Sequence, residues 1–270
     1  MALRSYLHTT FDPRRIPGLQ AWYDAADSAS ITLDSGRVSQ WSDKSGNARH
    51  ATNTTSGSTQ PSYSTAARNG LNVLRFAAAS VQRLTVAGTG TFNFLHNGTE
   101  SYFVAVSRYA SVSNPDAVYT LFGNNGGASA NTGTFYAFDD RSSASRNNAS
   151  SIFITRSVVG QSASSSLIQD VIAANTFTVQ EHLIAVANAT ASQRSRVSIN
   201  GGAYQGNNTL AYTPSSGNAT FALQIGASGD STAPMEGDIC ELMFFNQQPT
   251  AAARDLIRRH LGSKWGVTLA

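Results

Sequence analysis

Residues 236–246 read EGDICELMFFN. Three carboxylates fall within six residues, and a run of large apolar side chains follows at once. In a regular strand, residues two apart share a face, so Glu236 and Asp238 point together while Glu241 points with Ile239, Met243 and Phe245. A bulge between Asp238 and Glu241 would bring the third acid round to the first two. A retaining pair of glycosidase carboxyls would then have to stand about 5 to 5.5 Å apart. The stretch therefore reads as a core strand that carries acids, and the rest of the chain has to say why.

Outward from it the same pattern repeats. SYFVAVSRY (101–109), AVYTLFG (117–123), TFYAFDD (134–140), SIFITRS (151–157), HLIAVANA (182–189), SRVSING (195–201) and ATFALQIG (219–226) are short runs of alternating apolar residues. Gly, Asn, Ser and Asp clusters bound them at fairly even spacing, which predicts an all-β, many-stranded antiparallel sandwich. Asn200-Gly201-Gly202 predicts a hairpin turn. One helix is expected, near the C-terminus: Thr250 can cap it, Ala253, Leu256, Ile257, His260 and Leu261 form one apolar face, Gly262 offers a stop, and Trp265 packs back on the sandwich. Residues 1–16, with Arg4, Arg14, Arg15 and Pro13, carry neither period and are read as an N-terminal arm preceding one domain over 17–270. The serine-rich stretches near 55–65 and 141–151 read as surface loops.

The 270 residues are 41% hydrophobic and only 13% charged, with a formal charge of +3. The 17 Arg and two Lys are scattered without a run or stripe, so nucleic acid is not expected as a partner. A lone cysteine, Cys240, excludes an internal disulfide and is expected buried and inert. The segment MALRSYLHTTFDPRRIPG shows no apolar signal core, and no stretch approaches the ~18 apolar residues of a membrane span, so synthesis and folding in a cytoplasm without membrane insertion are expected. The six N-x-[ST] sequons are then accidents of an Asn/Ser/Thr-rich composition.

Candidate chemistry is sparse. Asp24, Asp27 and Asp34, and the pair in 139-DDRSS, could offer oxygen ligands to Ca²⁺, but they lack the EF-hand spacing and suit turn capping equally. No cofactor is expected beyond that. The five histidines show no metal spacing, and no G-x-S-x-G elbow is present. Trp22, Trp41 and Trp265 sit in core-like contexts, and at least two are expected buried. A sugar site is sought instead in loops, where Tyr136, Asp139, Asp140, Arg141, Asn124 and Asn125 combine an aromatic face with amides and acids that suit hydroxyl groups.

Several blocks together resemble the concanavalin A-like, laminin-G-type jelly-roll domains frequent in phage virion proteins and secreted bacterial proteins. They are 18-GLQAWYDAAD, 41-WSDKSGNARHAT, 69-NGLNVLRF, Ile225-Gly226, 237-GDICELMFFN and Lys264-Trp265-Gly266. The likeness covers roughly residues 16–267; Ala48 stands where the family often has Gly, and Ala77-Ala78 replaces a common Gly/Asp turn. It implies a two-sheet antiparallel sandwich in which Glu241 is a structural acid. It also suggests a non-enzymatic bacteriophage virion component (capsid decoration, fibre or tail-associated) that displays a lectin-like domain. Expected partners are other virion proteins, further copies of the chain, and a host cell-surface glycan. In this reading Arg4, Tyr6, Phe11, Arg14, Arg15 and Ile16 anchor the arm to the particle. E-x-D-x-x-E also resembles the catalytic strand of jelly-roll β-glucanases, so one alternative is a glycoside hydrolase using Glu236 and Glu241; another is a soluble carbohydrate-binding adhesion module. The fold hosts all of these activities.

Overall fold

The computed structural model describes residues 11–110, 118–126, 131–139, 150–156, 164–168, 171–206 and 214–270. Its strands form two antiparallel layers. One layer contains β1 (Leu19–Asp24), β5 (Ser62–Arg68), β6 (Leu71–Phe76), β8 (Ser101–Tyr109), β13 (Thr178–Ile184), β14 (Ser195–Ile199), β15 (Gln205–Gly206) and β17 (Gly237–Phe245). The other contains β2 (Ile31–Asp34), β3 (Arg37–Trp41), β4 (Ala51–Thr52), β7 (Leu84–Val86), β9 (Val118–Gly123), β10 (Gly133–Asp139), β11 (Ser150–Arg156), β12 (Ser164–Ile168) and β16 (Leu223–Ile225). In the first layer β17 is central: β8 runs along one side, and β6 and then β1 share the other. In the second, the order is β2-β3-β4-β7-β16-β9-β10-β11-β12. The Arg37–Ser62 bridge joins the two edges.

The layers meet through aromatic rings. Phe103 on β8 packs edge-on against Phe122 on β9, with centroids 4.8 Å apart, and lies 4.9 Å from Tyr136 on β10. Phe244 on β17 reaches Phe122 at 4.8 Å, and Tyr109 stacks on Phe138 at 4.7 Å. Ring pairs of this geometry add to the burial of their area.

The alternation expected of a half-solvated sheet fails on β8, β13 and β17, because the opposite face of that layer is covered too. Helix α1 (Ala251–Trp265) lies over it and buries Ile257, Leu261 and Trp265, each contributing about 1.5–3 kcal/mol by burial. Thr250 caps the helix by accepting the Ala253 N–H at 3.2 Å, as expected. Gly262 does not stop it. The helix runs on to Trp265 and ends at Gly266 in the left-handed region (φ 61°), while a Cβ on Gly262 would sit 2.9 Å from the Leu269 side chain. Leu256 is 57% exposed, so the apolar face is narrower than its spacing suggests.

Two turns follow their sequence signals. Asn200 (φ 51°) and Gly201 (φ 83°) make a two-residue turn after β14, with the Gly202 N–H donating to Ile199 O at 3.0 Å. In the W-S-D-K-S-G-N loop the Asp43 carboxylate accepts from the N–H groups of Trp22, Ser45 and Arg49 at 2.8–3.0 Å and from Ser45 Oγ. One buried acid thus ties that loop to β1.

Within the expected arm, residues 11–16 lie against the body. Phe11 lies 4.5 Å from the His260 ring, Ile16 belongs to the core, and Pro13–Arg15 form a 3-10 turn capped by Asp12. Arg14 is exposed and paired with Asp12, and Arg15 is exposed. Apolar Phe11 and Ile16 find cover on the body itself, which is why the segment docks there. Arg4 and Tyr6 lie outside the described residues. Among those described, no helix is long and apolar enough to cross a membrane.

Candidate functional site

The acids of EGDICE do not converge. The ladder between β17 and β8 skips a residue between Ile239 and Glu241, leaving Cys240 as a bulge. After it Glu241 faces the same side as Asp238, toward α1, which corrects the regular alternation expected from the sequence. There Asp238 is held by Arg75 at 2.7 Å and Arg108 at 2.6 Å. Glu241 is buried and accepts from Trp22 Nε1 (2.7 Å), Trp265 Nε1 (2.8 Å) and Lys264 Nζ (2.7 Å). Glu236 precedes the strand and accepts the Ala78 N–H at 2.8 Å. At ~3.3 Å per residue, positions 236 and 241 lie roughly 13–16 Å apart along the chain, well beyond a retaining pair. The hydrolase alternative on Glu236 and Glu241 loses its geometry. Cys240 is buried, and burial pushes its thiol pKa up, so it is a poor nucleophile.

The Asp24/Asp27 block likewise binds the chain's own cations. Lys44 Nζ stands 2.9 Å from Asp24 and 2.7 Å from Asp27, while Lys264 contacts both Asp24 (2.6 Å) and Glu241 (2.7 Å). Three carboxylates share two ammonium groups, so the cluster keeps one net negative unit. Burial, with Asp24 adjacent, holds the Glu241 pKa above its ordinary value. Asp34 takes the hydroxyls of Ser35 and Ser56. No group of three metal-ligating side chains is found among the described residues.

Of the six loop residues singled out for sugar binding, four lie inside the protein. Tyr136 and Asp139 are on β10 and Asn124 and Asn125 follow β9, each at most 1% exposed; Asp140 and Arg141 lie outside the described residues. Tyr136 faces the other layer and donates to Gln180 Oε1 at 3.1 Å, so it is a core ring rather than a platform. The surface expectation fails because the alternation of TFYAFDD places Tyr136 and Phe138 on the inward face.

Asn124 and Asn125 nevertheless build a polar cup. Phe221 N–H donates to Asn124 O (3.3 Å) and Gly229 N–H to Asn125 O (2.8 Å), which draws the segment after β9 against the two segments that flank β16. The approach requires glycine at 229, where a Cβ would lie 2.9 Å from the Asn125 nitrogen, and at 126, where it would run into the Asp230 carboxylate. Asp230 Oδ1 accepts from Ser228 Oγ (2.8 Å), Thr232 N (3.2 Å) and Thr232 Oγ1 (2.7 Å). The Asn124 amide uses Oδ1 on the Thr134 N–H (2.7 Å), and the Asn125 amide uses Nδ2 on Gly133 O (3.2 Å). Neither amide can be flipped without losing a backbone bond. That leaves Asn124 Nδ2 and Asn125 Oδ1 buried without a partner. A buried polar atom left so costs ~1–3 kcal/mol, and a donor and an acceptor left open on consecutive residues suit a ligand that offers both. Among the described residues the cup holds the Asp230 carboxylate, which is already taken up in bonds.

No family model matches the chain, and no curated protein matches it by sequence. Solved structures do. The binding domain of Paraclostridial Mosquitocidal Protein 1 superposes with a TM-score of 0.56 at 12% identity, over 90% of this chain and 52% of that one. The binding domain of Botulinum Neurotoxin DC, in complex with SialylT, gives 0.50 at 8% identity, over 90% and 51%. The CBM40 of Ruminococcus gnavus IT-sialidase, bound to α2,3-sialyllactose, gives 0.45 at 11% identity, over 62% and 85%. This chain therefore spans about half the length of the two toxin domains. The first two likenesses establish the β-sandwich fold.

Proposed function

We propose that the chain is a non-catalytic recognition module, a lectin-like sandwich carried on a bacteriophage virion that attaches to carbohydrate on the host surface. The observation that carries the binding role is the orphaned pair in the cup, Asn124 Nδ2 and Asn125 Oδ1, one donor and one acceptor on adjacent residues, as neighbouring sugar hydroxyls require. The absence of catalysis is supported by the fate of the acids at 236–241, each bonded within the architecture. Both cup atoms are covered, so binding includes a local opening. The superposed structures point the same way, since two are binding domains and one of these is in complex with SialylT.

The place on a virion, with assembly in the host cytoplasm, rests on the likeness of W-S-D-K-S-G-N and K-W-G to phage jelly-roll domains. The anchoring role then falls to residues 1–10, because Phe11–Ile16 are already docked on the body. A glycan array tests the binding role: the purified chain should be retained on a defined set of spots, and Asn124→Asp, which keeps the Oδ1 acceptor but removes the Nδ2 donor, should weaken retention about tenfold, ~1.4 kcal/mol. No retention on any spot refutes it. Removing residues 1–10 should abolish incorporation into particles while leaving the body folded, and a particle that keeps the shortened chain refutes the anchoring role.

A further inference from the structure

We propose that Arg196 and Arg254 form a binding site for the carboxylate of an acidic sugar, with Tyr204 as the residue that positions them; this rests on the glycan-recognition reading and names a ligand class for it. Arg196 lies on β14 and Arg254 on α1, and both bring their guanidinium groups to the Tyr204 ring, at 6.0 and 5.5 Å from its centre. The ring's negative face holds them there. Tyr204 is itself fixed: its hydroxyl donates to Glu181 Oε1 at 3.2 Å.

The charges nearby do not balance. Glu181 is fully buried, and its carboxylate is taken by Arg258 Nε at 2.6 Å and by Tyr102 at 2.9 Å. Asp255 is shared between Arg258 and Arg259. Among the described residues no carboxylate forms an ion pair with Arg196 or Arg254, and the Nε atoms of both are buried without a hydrogen-bond partner. Arg254 spends Nη1 on Pro249 O at 2.6 Å. Both guanidinium ions approach one ring, and neither is compensated by a carboxylate among the described residues, so an anion bound beside the ring is stabilised by both. The planar fork of arginine matches a carboxylate. The exposed amide of Gln205, next to Tyr204, supplies neutral hydrogen bonding of the kind sugar hydroxyls need.

The test is titration of the intact chain with D-glucuronate, followed by calorimetry and by the NMR signals of the two buried arginine Nε–H groups, with D-glucose, sulfate and inorganic phosphate as parallel arms. Glucuronate should shift both signals and glucose should not; added salt should weaken binding, and the double variant Arg196→Gln/Arg254→Gln should weaken it at least tenfold. Unmoved signals, or equal binding by a folded double variant, overturn the site. Sulfate or phosphate binding as tightly as glucuronate overturns the acidic-sugar assignment in favour of a general anion site. The wild-type signals keep the test decisive if the variant fails to fold. Retention of neutral glycans on the array without any response to glucuronate defeats this inference alone, whereas no retention of any glycan defeats the reading beneath it.

Discussion

Trp265 Nε1 donates to Glu241 Oε2 at 2.8 Å, joining the last turn of α1 to the middle of β17. Lys264, one residue earlier, meets the same oxygen at 2.7 Å. The acid that suggested catalysis is the post on which the C-terminal helix is seated. Replacing it by alanine leaves Lys264 to Asp24 alone and orphans two indole N–H groups, so Glu241→Ala should cost about 2–4 kcal/mol, at ~1–3 kcal/mol per unsatisfied buried donor. Urea unfolding checks the value.

The same residue should show in the pH dependence of stability. The folded pKa of Glu241 is raised above 4.5 by burial and by Asp24. From pH 4.5 up to that raised value the native state holds more protons than the unfolded chain, so this group's contribution is full below 4.5 and is lost as pH rises. Glu241→Gln should remove that falling slope. Unfolding free energies across pH 4–7 for wild type and variant make the comparison.

His96 works in the opposite sense. It is buried, neither ring nitrogen has a partner, and burial alone lowers its pKa from 6.5 to about 4. Its contribution is present above pH 6.5 and lost as pH falls toward 4, amounting to about 3 kcal/mol at 1.36 kcal/mol per unit. His96→Phe should flatten this arm of the profile, and following both variants over one pH range separates it from the Glu241 effect.

Among the described residues, eight that are not glycine have positive φ, and two of them bear directly on stability. Ala48 (φ 54°) and Val81 (φ 49°) sit in the left-handed region, which a β-branched side chain enters at a cost. Ala48→Gly and Val81→Gly should each stabilise by about 0.5–1 kcal/mol, with thermal melting as the readout.

The fold was legible where local rules act alone. Alternating runs marked the strands, Asn200-Gly201 marked the hairpin, and Thr250 marked the start of the helix. What failed depended on distant partners. Glu241 changed face because one residue bulged at Cys240, and no local signal records a bulge. Gly262 looked like a stop but is small to admit Leu269. Phe11 and Ile16 read as part of a free arm because their cover, His260 and the core, lies far along the chain. Asn124 and Asn125 read as loop amides, and their burial depends on Phe221 and Gly229, about a hundred residues later. The arginines around Tyr204 carried no sequence signal, since they come from separate elements.

The most direct test incubates the wild-type chain with an oligosaccharide that it retains on the array and measures the release of reducing ends beside wild-type, Glu236→Gln and Glu241→Gln binding. The account predicts that the sugar stays bound and intact, with retention unchanged in Glu236→Gln and in whatever fraction of Glu241→Gln folds. Release of reducing ends that disappears in both variants would contradict it.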